Sequence, residues 1–464
     1  MTKLRKAGAG TRHLFPSCPT VALAAAAILL GPGCKGAMDV PGNPATDAAV
    51  NAPGSDAGVD STRPGTGGAA GTGVPSSSGG GGPGTGGAVL TTSTGGTSGG
   101  GTGGGGTSGG GTSGMTAEAF GLSARPAKQT CLPPANVDSP VTKLSATGCT
   151  DPADVKKPAA SLIPYDVASP LWSDGADKQR FMAIPDGATI HVKNCTTEPD
   201  TCKPAFQGGT SSDEGHWVMP VGTVLVKNFL FAGKPFETRL FVRFADEWGG
   251  FSYQWSADLS DATLVSEFGA MADVVNNSGA KQTWTFPSRN DCLECHNETV
   301  GGSIGPDTRQ LNWSMKYPSP SGVMANQIST LEHIGLFDAP VVRMPALVDF
   351  RVTGPSVDDR ARSYLHANCG TCHRPDGNYS AIDLRFGVSL QNMKICNLDP
   401  NKGDLGITGA KRLVPAMPAQ SLMLLRMQAP DKASGRMPQL ATSILDTLGI
   451  SLVTQWISGI TACP

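Results

Sequence analysis

Two pentapeptides of one form, Cys292-Leu-Glu-Cys-His296 and Cys369-Gly-Thr-Cys-His373, constrain this chain more than any other feature. With 12 Cys and 7 His among 464 residues, a shuffled chain would hold about 0.005 copies of Cys-x-x-Cys-His. Whatever fold forms must therefore gather each Cys–Cys–His set around something. Three answers compete: a zinc ion, a redox dithiol, or a covalently bound haem.

Zinc takes four ligands, usually from two close pairs. It gives no reason for a histidine directly after both pairs, and 74 positions separate Cys295 from Cys369. A thioredoxin-like dithiol sits between a strand and a helix and does not need the histidine. Haem uses every element. Two thiols two residues apart reach the two vinyl groups on one edge of the macrocycle, and the following imidazole binds iron from below. Cys292, Cys295 and His296 are thus expected to hold a first haem c, and Cys369, Cys372 and His373 a second.

The sixth ligand decides what each iron can do, because Met gives a closed electron-transferring site and an open position admits peroxide or gas. For the second haem the candidate is Met437 in SGRMPQL, with Met417 in VPAMPAQS as its rival. For the first, Met344 in RMPAL and His333 in LEHIGLF are both open.

The N-terminus carries Lys3, Arg5, Lys6 and Arg12, then the apolar run VALAAAAILL at 21–30. That run is too short for a bilayer span and fits an export signal. Cys34, after Gly31 and Gly33, is the expected lipidation site, so residues 1–34 read as a lipoprotein-type signal. Residues 35–116 are mostly Gly, Ser, Thr, Pro and Ala. Such a segment cannot bury enough apolar surface to offset its ordering entropy, and it is expected to be a disordered linker. About 80 flexible residues reach roughly 50 Å, enough to hold a folded head off a membrane. Net charge is −2 with the signs interspersed, which argues against nucleic acid as a partner.

Setting aside Cys18, Cys34 and the four motif cysteines leaves six. An even remainder in an exported chain suggests disulfides. Cys195–Cys202 would close a short polar loop, Cys131–Cys149 would staple the start of the folded part, and Cys396–Cys463 follows by elimination.

Residues 160–290 alternate as strands do. Leu240, Val242 and Phe244 oppose Arg239 and Arg243, Phe251, Tyr253 and Trp255 oppose small or polar residues, and 223–231 adds a further strand. Gly233-Lys-Pro235 and Gly249-Gly250 read as turns between them. Ser356 with Asp359 starts a helix carrying Val357, Ala361, Tyr364 and Leu365 on one face into Cys369, and Val453, Trp456, Ile457 and Ile460 form a second helical stripe. The expected fold class is α+β: a disordered N-terminal linker, a β-rich sandwich-like domain (117–288), then mainly α-helical cytochrome c-type haem domains, a first haem c region at 289–353 and a second haem c domain at 354–464.

Several segments together resemble a family of bacterial two-haem c-type cytochromes, many of them lipoproteins by sequence. These are YDVASPLWSDGADKQRF (165–181), PVGTVLVKNFLF (220–231), ETRLFVRF (237–244), RNDCLECH (289–296), IGPDTRQLN (304–312), RARSYLHANCGTCH (360–373), MPQL and LVTQWISGI. His216-Trp217 and the Cys195–Cys202 loop depart locally from it. The resemblance implies haem binding and electron transfer to redox partner proteins, in the periplasm or at the outer membrane. The sequence reading is thus a non-catalytic electron carrier. A two-haem peroxidase-like enzyme and an exported binding module with accessory haems are the alternatives.

Overall fold

The structure, a computed structural model, describes residues 119–203, 211, 213–440 and 442–464. The expected signal with Cys34 and the expected linker lie outside the described residues. In chain order the strands are β1 (Thr150–Asp151), β2 (Asp154–Pro158), β3 (Ile163–Tyr165), β4 (Asp177–Ala183), β5 (His191–Val192) and β6 (Trp217–Val218). They continue with β7 (Val224–Phe231), β8 (Lys234–Arg243), β9 (Trp248–Trp255), β10 (Ala262–Leu264), β11 (Ala270–Val275) and β12 (Lys281–Phe286). Then come α1 (Arg289–Cys295), α2 (Thr308–Leu311), β13 (Ser314–Lys316), β14 (Met324–Asn326), α3 (Gln327–His333), α4 (Val357–Asn368), α5 (Leu422–Gln428) and α6 (Thr447–Gly459).

The expected sandwich is instead one antiparallel sheet of six strands, in the order β10-β9-β8-β7-β4-β3, with four two-stranded ribbons beside it. Its two faces feed two different cores, which the period-two pattern requires. Phe181, Val224, Val226, Leu240, Val242, Phe251, Tyr253 and Trp255 point to one face, where the Cys131–Cys149 staple covers them. Met182, Leu225 and Phe241 point to the other and meet Leu311, Ile328, Leu331 and Leu336 from the chain beyond residue 288. The β7–β8 hairpin turns at Ala232 and Gly233, both with positive φ, as a two-residue turn matched to strand twist requires. Gly249 and Gly250 are not a turn: both lie inside β9, paired with Val242 and Phe241.

Residues 289–464 are not mainly helical. The longest helices, α4 and α6, have 12 and 13 residues, and no α-helix lies between α4 and α5 among the described residues. The physical reason is local. That stretch holds six glycines and four prolines, and Asp376, Lys394, Asn397, Leu405 and Ala416 take positive φ, a conformation no helix admits. Arg412 organises the loops by donating to the carbonyls of Ala381, Lys394 and Asp399. A third core unites α4, α5 and α6 through Tyr364, Leu365, Leu424, Val453, Trp456 and Ile457. Gly449 allows the closest approach, since a Cβ there would lie 2.3 Å from the Tyr364 ring.

The three expected disulfides are formed: Cys131–Cys149, Cys195–Cys202 and Cys396–Cys463. The last closes 67 residues and ties the chain end to the third core, worth roughly 4 kcal/mol by loop-closure entropy. No helix among the described residues is long and apolar enough to cross a membrane.

Candidate functional site

The first pentapeptide rides on α1. Ser288 caps that helix in a reciprocal box, accepting from the Asp291 amide while the Asp291 carboxylate accepts from the Ser288 amide. Seven residues are marginal as a helix, so the box is what holds Cys292 and Cys295 one turn apart with His296 at the C-cap. Cys292 packs into the sheet over Gly250, where a Cβ would come within 2.6 Å of its sulfur. That contact explains Gly250; at Gly249, on the opposite face, a Cβ would come within 2.8 Å of the Phe244 ring.

The second pentapeptide begins where α4 ends, Cys369 being its C-cap. Ser356 caps the start of α4, as its spacing to Asp359 implied. The two pentapeptides are clasped together. Asn378 Nδ2 donates to the Glu294 carbonyl at 2.9 Å and to its carboxylate at 3.1 Å, and Thr299 Oγ1 donates to the Asp376 carbonyl at 2.7 Å. Cys295 and Cys372 are hydrogen-bonded to each other, which together with burial raises the Cys295 thiol pKa far above its usual range. All four motif cysteines are free thiols. Burial likewise pushes Cys369 up to about 12.

Both pentapeptides line one cavity of about 1500 Å³. The sheet forms one wall through Leu225, Lys227, Arg239, Phe241 and Gly250, and the third core forms another through Leu365, Leu384, Ile395 and Met427. Pockets for single drug-sized ligands run to about 300–1,000 Å³, so this one is roomy. Met437 and Met344 are half-buried on its wall. His333 is exposed, stacks on Phe120 at 3.9 Å and lies off the cavity wall. Met417 is 46% exposed and is also off that wall.

Hydrogen bonds assign the imidazoles. His296 Nδ1 lies 2.8 Å from the Gly302 carbonyl, which can only accept, so Nδ1 carries the proton and Nε2 offers a lone pair. Its ring packs on Phe241 at 3.9 Å, and burial lowers its pKa to about 3. His373 Nδ1 is buried without a hydrogen bond of good geometry; burial lowers its pKa, while the nearby Tyr379 backbone favours its charged form.

Two further histidines on the cavity wall were not singled out from the sequence as ligands. His366 Nδ1 accepts from the Phe386 amide at 3.2 Å, so its Nε2 holds the proton and is a donor, not a ligand. His216 Nε2 faces Arg374 at 3.3 Å and must accept there. Burial lowers both to about 3. Asp307, also on the wall, is raised by burial to about 6.

Among the described residues no three of His, Cys, Asp and Glu gather closely enough to hold a metal ion. Comparison of the chain with protein-family models, with curated proteins and with solved structures finds no match in any of the three.

Proposed function

We propose that the chain is an exported dihaem c-type cytochrome that passes electrons, of the two-haem family it resembles in sequence. The observation that carries this reading is that both Cys-x-x-Cys-His segments, with free thiols, open into one cavity of about 1500 Å³. His296 supports it further. A proximal imidazole needs its Nδ1–H held by an acceptor so that Nε2 meets the iron, and the Gly302 carbonyl is such an acceptor.

Cys292 and Cys295 would attach the first haem and Cys369 and Cys372 the second, with His296 and His373 as axial ligands. Bound there, the haems supply the one-electron chemistry. The chain's own part is to hold and shield them. Phe241 fixes the His296 ring, and the Glu294–Asn378 and Thr299–Asp376 clasp keeps the two segments side by side, as stepwise transfer needs. Met437 is the favoured distal ligand of the second haem and Met344 that of the first, because both reach the cavity wall. Redox partner proteins would exchange electrons with it, in the periplasm or at the outer membrane, anchored through Cys34.

The test is a pyridine haemochrome assay on protein exported by a host that matures c-type haem. Two covalent haems per chain are expected. None would end the reading.

One observation favours an enzyme as the second reading. Asp307, raised to about 6 on the cavity wall, could move a proton near neutral pH. Peroxide turnover well above that of free haem, lost in Asp307→Asn, would favour the peroxidase-like alternative over the carrier.

A further inference from the structure

Three basic side chains stand shoulder to shoulder on the sheet. Arg180 of β4 pairs in register with Lys227 of β7, and Lys227 with Arg239 of β8. Like charges directly opposite one another across strands are destabilising. Two of the three are answered from within the fold: Arg180 by Asp166, and Arg239 by the buried Glu237 at 2.7 Å. Lys227, in the middle, makes no ion pair among the described residues and lies 5.0 Å from the Phe229 ring centroid; burial, Arg180, Lys178 and Arg239 hold its ammonium well below the usual range, with Glu237 opposing. All three line the cavity. Without an anion the fold holds Lys227 by disfavouring its charge; an anion set against the row would let all three side chains be charged.

The position of the row says which anion. One pleat further along the same face, Gly250 of β9 pairs with Phe241 of β8, which pairs with Leu225 of β7. Cys292 sits on Gly250, and His296 packs on Phe241. At about 3.4 Å per residue and about 4.8 Å per strand, Lys227 lies about 12 Å across the sheet from the seat of Cys292. A tetrapyrrole joined to the chain at its vinyl edge carries its two carboxylates on the opposite edge.

We propose that Arg180, Lys227 and Arg239 form a carboxylate-binding row that receives the propionates of the tetrapyrrole attached at Cys292, Cys295 and His296. This rests on the dihaem reading above. Lys227 is a positioning and charge-compensating residue, since it touches neither iron nor thioether.

The experiment compares wild type, Lys227→Met and Lys227→Arg, each made haem-free and haem-loaded, with haem counted on every loaded sample. Without haem, Lys227→Met is expected to melt above wild type, because a buried amine whose charge the fold disfavours is gone. With haem, one of the two redox waves should gain a pH dependence across the neutral range beyond that of wild type, because a carboxylate that has lost its cation now titrates there; Arg180, Lys178 (lowered by burial to about 7), Arg239 and Glu237, which also face position 227, are the same in both proteins. The other wave should stay as in wild type, and Lys227→Arg should match wild type in both forms. Two haems per chain with neither wave altered by Lys227→Met would overturn the proposal, as would a lower melting point of the haem-free variant. Absence of covalent haem from wild type would overturn the dihaem reading and this proposal with it, and the haem count tells that failure from the other two.

Discussion

At the first pentapeptide the imidazole is already oriented: His296 donates to the Gly302 carbonyl, rests on Phe241 and follows a helix closed by a capping box. At the second, His373 Nδ1 makes no such bond, and the chain beyond it runs through loops with many positive-φ residues. One site is built on a sheet and the other on a helix end followed by turns. The lesson is about pre-organisation. A group bound at the sheet site meets an arranged ligand, whereas one bound at the loop site would have to arrange its own.

The largest effects should come from filling the space each pentapeptide needs. A Cβ at position 250 would stand 2.6 Å from the Cys292 sulfur, and one at position 377 would stand 2.4 Å from the Cys372 carbonyl. Gly250→Val is expected to abolish attachment at the first site and spare the second; Gly377→Val should do the reverse. Overpacking costs about 1–3 kcal/mol in each case. Mass spectrometry of haem-bearing peptides would read the outcome, and loss of both haems from either variant would show that the sites do not assemble separately.

Next in size is the distal ligand. Met437→Ala should turn the second haem from low-spin to high-spin or water-ligated while the first keeps its spectrum, and Met344→Ala should do this to the first alone. Electron paramagnetic resonance of the oxidised protein distinguishes them. An unchanged spectrum in Met344→Ala would leave the first iron open or bound by another wall residue, and the two sites would then differ in function as well as in support.

Acid should weaken the loop site through His366. Its folded pKa is about 3, lowered by burial and by Arg374, Arg309 and Arg385, against about 6.5 in the unfolded chain. The unfolded state therefore binds the extra proton between those values, and stability falls as pH drops through that window, by about 1.4 kcal/mol per unit per group. Above about pH 6.5 the group contributes no slope. His366→Gln should flatten part of the acid limb in a denaturation series. An identical limb in variant and wild type would mean that His366 is not neutral and buried.

Much of this could be read before the fold was known. Both helical stripes apart from the exposed Val357, the Ser356 cap, the strands at 223–231, 238–244 and 251–256 and the two short-range disulfides follow from spacing and period, because each depends on local chemistry; Cys396–Cys463, 67 residues apart, came only by elimination. The helical content beyond residue 289 was overread, since the stripes mark two helices and say nothing of the turns between them. Gly249-Gly250 was misread because a glycine pair signals a turn and a close approach equally well; only the fold shows that Cys292 occupies the missing side chain's place. His216, His366 and the row of Arg180, Lys227 and Arg239 were invisible as parts of a site. The row comes from separate strands that cross-strand register aligns, while His216, just before β6, and His366, on α4, reach the same wall only through tertiary packing.

The smallest effect tests the comparison most finely. Ser288 and Ser356 each cap the helix that delivers a pentapeptide, and each has Asp three residues on. Replacing either by Ala should cost about 1 kcal/mol. The consequences should differ. With seven residues, α1 has little beyond its capping box to keep it wound, and both of its cysteines lie inside it. With twelve residues, α4 is held along its length by Tyr364 and Leu365 against α6, and its pentapeptide starts only at its far end. Ser288→Ala should therefore slow or reduce attachment at the first site, while Ser356→Ala lowers the melting temperature by a similar amount and leaves attachment at the second unchanged. Equal haem occupancy in the two variants would mean that the Gly250 seat and the Phe241 contact, not the helix, hold the first site together.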